Sequence, residues 1–312
     1  MTRTFAYLSC TLIPCTVGSK LKDKGGKQSI GPLSRLGLHI YETGGGVLQT
    51  DSGKIQELDL ENDGKLVRFY VLNPEPNHIA PDPLLLISLA KDGISSLTQE
   101  PYATIPQAFV AKGHRAASFD LPSHGQRIDE HGEALIGLRN AYLSGHDPFS
   151  TCVHDARILI NHGIDTGLAR PGRIAVTGTS RGGYMAMRIL AAEARVAAAA
   201  AMSPVTDWRH LDEFAGHVSD DCLARLQLDC FAAQMAARHV LLVIGGADDR
   251  VGTDKCVRLY DQLTQINEGQ DGALAQIMLQ VTDDPGHTLS VSRHTEAARF
   301  LLNVLDLGLN TL

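Results

Sequence analysis

The stretch "RIAVTGTSRGGYMAMRIL", Arg173–Leu190, decides how the rest of the chain is read. An apolar run stops at Gly178, Ser180 stands alone, Gly182 and Gly183 follow, and an amphipathic pattern resumes with apolar residues at Met185, Ile189 and Leu190. Short apolar runs predict buried strands, and the resumed pattern predicts a helix. Glycines two before and two after a serine suit a very tight strand-to-helix turn, where bulkier residues would collide. Such a turn lifts the serine hydroxyl above the sheet and aims the free N–H groups of the next helix at the same place.

Working outward, the same alternation recurs. Apolar runs at Leu84–Leu89, His114–Phe119, Ile174–Gly178, Val196–Met202, Val240–Ile244 and Ile277–Val281 predict strands. Helical patterns lie between them, at about 101–112, 150–163, 181–193, 253–267 and 289–305. This predicts an α/β fold with a mostly parallel central sheet and helices on both faces. Ahead of it, "KIQELDL" and "KLVRFYVL" flank "ENDG" and predict an antiparallel hairpin over 54–72 at one edge of the sheet. "VAAAAAM", Val196–Met202, has a helix former's composition but a strand's place in the alternation, and a strand is expected.

Residues 1–53 are expected to be an irregular N-terminal extension with a short strand near Leu38–Glu42, and 54–312 a single domain. The 205–237 segment exceeds what a crossover needs and is expected to form a small helical cap over a pocket. The start, "MTRTFAYLSCTLIPCTVGSK", loosely resembles a secretory signal, but Thr4, Ser9, Thr11, Pro14 and Thr16 break its apolar run, so a cytoplasmic location is expected, with secretion the alternative.

Composition narrows the function. The chain has 312 residues, 44% hydrophobic, 20% charged and 5% aromatic, with a formal net charge of −7. That charge gives no basic field to attract nucleic acid. No apolar stretch reaches the roughly 18–20 residues of a membrane span. The six cysteines (Cys10, Cys15, Cys152, Cys222, Cys230, Cys256) show no CxxC spacing, no HExxH-type cluster exists, and neither a metal nor a cofactor is implied. Homo-oligomerisation is left open.

A serine hydroxyl needs a base, normally a histidine oriented by a carboxylate. After "HVLLVIGG" comes "ADDRVG", with Asp248 and Asp249, and after "AQIMLQV" comes "TDDPGHTLS", with His287. Of the two histidines beyond Asp249, His294 falls inside the terminal helix and is expected on its surface, whereas His287 sits in a Gly/Pro loop past a strand end. The order is Ser180, then Asp, then His287.

These residues together make the chain, from about Lys65 onward, resemble an α/β-hydrolase. More narrowly, "GTSRGGYMAMRIL…AAAAMSPVTDW" resembles the esterase and peptidase branch that includes prolyl-oligopeptidase-like and dienelactone-hydrolase-like proteins. The resemblance implies an elbow nucleophile at Ser180 and maps the acid loop G-x-x-D-x-R-V onto "GADDRV". Asp248 is then the acid, Asp249 the runner-up and Asp207 a third candidate. "FDLPSHGQR" resembles the family's D-x-P-x-HG turn, whose Asp120 and His124 would be structural.

Two positions depart from the pattern. Ala90 and Lys91, in "LAKDG", stand where His and Gly are usual, and Gly252 stands where proline is common. One oxyanion donor would be the Arg181 N–H, the other an N–H at Lys91 or Asp92. The expected activity is hydrolysis of a carboxylic ester of small to medium acyl groups, as in carboxylesterases. The alternatives are a peptidase or amidase of the prolyl-oligopeptidase type and a non-catalytic ligand-binding member of the fold. The first of these would ordinarily carry a large N-terminal propeller. Specificity would reside in 205–237 and 91–106.

Overall fold

The computed structural model describes residues 47–50, 53–62, 64–270 and 275–307. The expected strand near Leu38–Glu42, Cys10, Cys15 and the leader lie outside them. All described residues fall within one contact unit, His39–Leu312.

The described residues open with three strands, β1 (Val47–Thr50), β2 (Gly53–Asn62) and β3 (Lys65–Asn73), paired antiparallel. The β2–β3 register runs from Lys54 opposite Asn73 to Asn62 opposite Lys65, and Gly64 takes the left-handed conformation at φ 80° that such a tight turn requires. β1 lies inside the stretch expected to be irregular, because "VLQT" can pair with the start of β2.

Alternation follows: β4 (Leu85–Leu89), α1 (Gly93–Thr98), α2 (Thr104–Ala111), β5 (Arg115–Phe119), α3 (Ala134–Leu143), α4 (Pro148–Asp165), β6 (Ile174–Thr179), α5 (Arg181–Ala192) and β7 (Val196–Met202). After two short helices, α6 (Asp220–Ala224) and α7 (Ala232–Met235), come β8 (His239–Gly245), α8 (Thr253–Glu268), β9 (Ile277–Thr282) and α9 (Val291–Leu307).

The described strands form one nine-stranded sheet in the order β1-β2-β3-β5-β4-β6-β7-β8-β9. β3 pairs antiparallel with β5, and every later pair is parallel. This is the α/β-hydrolase fold. From β4 the chain first steps outward to β5, then returns to β6 on the other side and proceeds to β9. The order therefore reverses between β4 and β6, and ligand crevices open at the carboxyl ends of strands at such a switch point. The loops "LAKDG" and "TSRGG" leave the sheet there.

The alanine-rich segment is a strand, β7. Its Ala198, Ala200 and Met202 belong to one buried cluster with Ile105 and Phe109 of α2 and Ala297, Ala298 and Leu301 of α9, and α9 packs on β7. Small side chains on β7 allow α9 to lie close, and the tertiary contact overrides alanine's helix preference.

Two helices were not expected. α1 has six residues and owes its start to Asp92, whose side chain accepts from the Ser95 N–H at 2.8 Å. α3 buries Leu135, Leu138 and Ala141, a three-residue spacing interrupted by Gly137, which touches the Gly132 carbonyl. α4 begins two residues earlier than expected, with Pro148 at its first position and Asp147 capping the Phe149 and Ser150 N–H groups. No helix among the described residues is long and apolar enough to cross a membrane. Cys152, Cys222, Cys230 and Cys256 are free thiols.

Candidate active site

Ser180 caps α5 with φ 58° and ψ −118°, a conformation that costs a non-glycine residue on the order of 1–3 kcal/mol and persists only where the surroundings enforce it. They do so by close approach. A Cβ on Gly182 would fall 2.0 Å from the Leu89 carbonyl oxygen, and one on Gly178 would fall 2.2 Å from that of Gly182. The turn is also tied to β7: the Ser180 N–H donates to Met202 O at 2.8 Å, and Val205 N–H donates to Ser180 O at 3.1 Å. Gly183 lets the start of α5 approach Pro204, which a Cβ would meet at 3.1 Å. Ser180 Oγ and the Arg181 N–H make no hydrogen bond among the described residues.

Two strands away, β8 ends at Gly245 and Asp248 follows, 2% exposed. Its Oδ1 accepts from the Arg250 and Val251 N–H groups at 3.1 and 3.2 Å, and its Oδ2 accepts from His287 Nδ1 at 2.9 Å. Burial pushes the Asp248 carboxyl upward. The hydrogen bond and charge of His287, with the two backbone donors, outweigh it and hold the group below its ordinary value. An ionised Asp248 places the proton of neutral His287 on Nδ1, which leaves the Nε2 lone pair free to take a proton. The loop carrying His287 is docked on the acid loop: Gly246 N–H donates to Thr282 O at 2.8 Å, and a Cβ on Gly245 would meet Gly286 O at 2.1 Å.

The other candidates fall elsewhere. Asp249 is exposed and is engaged through its backbone alone, its oxygen by His210 Nε2 at 3.0 Å and its N–H by Ala247 O at 3.1 Å. Asp207 is buried but clamps Arg209, at 2.9 Å to Nε and 2.7 Å to Nη2. His294 is not on the helix surface: it is 2% exposed, with Nδ1 3.1 Å from Ser290 O. α9 buries that position, so a helical place in the sequence alone does not reveal it.

The loop facing Ser180 is braced at several of its backbone polar atoms. Ala90 N–H donates to Ser96 Oγ at 3.1 Å, Gly93 N–H donates to Asp120 Oδ1 at 2.7 Å, and Lys91 O accepts from Leu121 N–H at 3.0 Å. The N–H groups of Lys91 and Asp92 make no hydrogen bond among the described residues. The Asp92 carboxylate, which would repel an oxyanion, is turned into the N-terminus of α1. Asp120 also accepts from Gln126 N–H at 2.7 Å, so it holds two loops together.

His124 has a task that the sequence did not disclose. It is 7% exposed, its Nδ1 stands 2.9 Å from Pro122 O, and its Nε2 accepts from Arg181 Nε at 2.8 Å. Burial and then the Arg181 charge pull the ring down to about 4, so it is neutral near pH 7. From sequence Arg181 was read only as a backbone donor; its side chain is anchored as well.

A sequence model of the prolyl oligopeptidase family matches residues 144–307, more than half of the 312 residues. The chain belongs to the prolyl oligopeptidase family. Among curated relatives, it is 30% identical over 145 residues to a hydrolase of Aspergillus flavipes, ffsE, and 30% identical over 139 residues to a hydrolase of Phaeosphaeria nodorum, phmG. Each match covers 44% of this chain but only 30% and 29% of those proteins. An acetyl xylan esterase from Paenibacillus sp. R4 superposes with a TM-score of 0.63 at 16% identity, over 85% of this chain and 89% of that one. A Mycobacterium tuberculosis puromycin-hydrolyzing peptidase superposes with a TM-score of 0.62 at 17% identity, over 83% and 39%. Likeness at this identity speaks for the fold.

In this prolyl oligopeptidase family chain, the segment between β7 and β8 is made of short pieces: a 3-10 turn at Trp208–His210, α6, a 3-10 turn at Leu228–Phe231, and α7. Trp208 is fully buried and pins the segment down, its ring centroid 4.9 Å from Phe149 and 5.0 Å from both Tyr184 and Phe214. Tyr184 O–H donates to Leu226 O at 2.8 Å, a second tie between α5 and this segment. Glu213 forms an ion pair with Arg250 of the acid loop, and its carbonyl accepts from Arg139 Nη1 at 2.9 Å.

Proposed function

We propose that this chain is a serine hydrolase in which Ser180, His287 and Asp248 form the catalytic triad and the substrate is a carboxylic ester of a small to medium acyl group. The observation that carries this reading is the 2.9 Å Asp248–His287 hydrogen bond, at the same carboxyl end of the parallel strands as the strained Ser180 turn.

His287 Nε2 removes the Ser180 proton as Oγ attacks the carbonyl carbon. Asp248 stabilises the imidazolium that forms. The negative oxygen is held by the Arg181 N–H and by an N–H of the opposite loop, Asp92 or its neighbour Lys91, whose other donors are already committed. The imidazolium returns its proton to the leaving alcohol, and water, activated by the same nitrogen, releases the acid. The Ser180–His287 leg closes when substrate is bound, as catalytic hydrogen bonds often do. The 205–237 segment, fixed by Trp208, would roof the pocket and set acyl size.

Family membership supports a second reading, cleavage of an amide or peptide bond by the same groups. The test is a panel of 4-nitrophenyl esters of rising chain length beside aminoacyl 4-nitroanilides. Ester turnover with a maximum at short to medium acyl length, lost in Ser180→Ala, supports the esterase reading. Turnover of anilides but not esters supports the peptidase. No turnover of either refutes both.

A further inference from the structure

Arg181 carries a charge for which the triad has no use. Its Nε is held by His124 Nε2, and His124 accepts there because its Nδ1–H is directed at Pro122 O. A neutral acceptor fixes the direction of a guanidinium without cancelling its charge. No described carboxylate forms an ion pair with Arg181, and its Nη atoms make no hydrogen bond among the described residues. Nor are those atoms sealed in the core; the residue is part-buried.

The acids around it are committed elsewhere. Glu213 pairs with Arg250, Asp248 with His287, Asp120 with the Gly93 and Gln126 N–H groups, and Asp92 with Ser95 N–H. Lys91, on the opposite loop, has its Nζ 5.7 Å from the centroid of the Tyr102 ring. Tyr102 is also among the groups that Arg181 senses electrostatically, with Arg250 and Glu213. A partly desolvated cation without a counter-ion is costly, and a guanidinium's planar fork matches a carboxylate in bidentate fashion.

We propose that the Arg181 guanidinium, aimed by His124, binds a carboxylate carried by the substrate, so that the preferred substrates are anionic, such as half-esters of short dicarboxylic acids. This rests on reading Ser180 as the nucleophile, which makes Arg181 the residue next to the attacking group.

The test compares charged and neutral partners of similar size in the full chain. Mono-4-nitrophenyl glutarate against 4-nitrophenyl butyrate places the charge on the acyl side. 4-Acetoxybenzoate against its methyl ester places it on the alcohol side. The wild type is expected to favour the anion by at least about tenfold in kcat/KM in one arm, as one well-placed charged hydrogen-bonding pair allows. Arg181→Gln should bring that ratio close to one whatever its absolute rate, and Arg181→Lys should restore part of it. A ratio that Arg181→Gln leaves unchanged, or a wild type that favours the neutral ester in both arms, overturns the proposal. Binding keeps this separate from the catalytic reading. Calorimetry of Ser180→Ala with monomethyl glutarate and with methyl butyrate should show preference for the anion, lost in Ser180→Ala/Arg181→Gln. Equal affinities would overturn the anion site even if esters are hydrolysed; an intact preference without turnover would uphold the site and sink the nucleophile.

Discussion

Asp248 Oδ2 accepts a hydrogen bond from His287 Nδ1 at 2.9 Å, while Asp249, the next residue, faces solvent. Two adjacent carboxylates are thus separated by backbone geometry: the Arg250 and Val251 N–H groups bind the Asp248 side chain from below and aim its other oxygen at the histidine. Asp248→Asn is expected to lower kcat/KM by about 10³–10⁴-fold, since it loses the charge that holds the correct tautomer. Asp249→Asn should stay within about twofold. Steady-state kinetics on the preferred ester decides between them, and equal losses would remove the distinction drawn here.

Gly182 and Leu89 approach too closely for any side chain. Gly182→Ala must move either the Ser180 turn or the end of β4, and the expected cost is at least about 3 kcal/mol, in the range of severe overpacking. Gly145→Ala is the control: φ is 85° but nothing lies within 4 Å of the added Cβ, so only about 1 kcal/mol is expected. Urea unfolding of both variants gives the comparison. Similar small losses would mean that the turn is not clamped as described.

His124 links pH to stability. Its folded value of about 4 lies below the ordinary 6.5, so its contribution is complete above pH 6.5 and is lost as pH falls through the folded value. In that window the unfolded chain binds a proton that the folded chain refuses. The wild type should lose about 2 kcal/mol from this group between pH 7 and pH 5. His124→Gln should lose correspondingly less over the same interval. Urea titrations at the two pH values measure it, and parallel losses in both proteins would show that the ring is not held neutral.

Trp208 fastens the 205–237 segment to α4 and α5 through its contacts with Phe149 and Tyr184. Trp208→Ala is expected to cost about 3–5 kcal/mol. Because this segment would roof the pocket, the variant should also lose selectivity among acyl lengths. Thermal melts and the ester panel read the two effects, and unchanged selectivity would mean that the segment does not border the substrate.

The parts of the fold that could be read in advance are those where a local pattern and a tertiary need coincide. β6, its glycines and α5 belong to this class, because close packing at Leu89 forces glycine and burial forces the apolar run. The Asp248–His287 contact was legible as an order of residues, though the choice between Asp248 and Asp249 rested on resemblance and needed the backbone donors of the loop. What escaped depends on contacts distant in sequence. α1 is short and is stabilised by a cap, α3 has a glycine in its pattern, and His294 is buried although it lies in a helix. The His124–Arg181 bond spans 57 residues and has no periodic signature.

Labelling with a fluorophosphonate followed by peptide mapping tests most directly the assignment of Ser180 as an activated nucleophile. One modified peptide containing Ser180 is predicted, with labelling abolished in Ser180→Ala and strongly slowed in His287→Ala. Failure of the folded wild type to label, or a label on another residue that persists in Ser180→Ala, would contradict it.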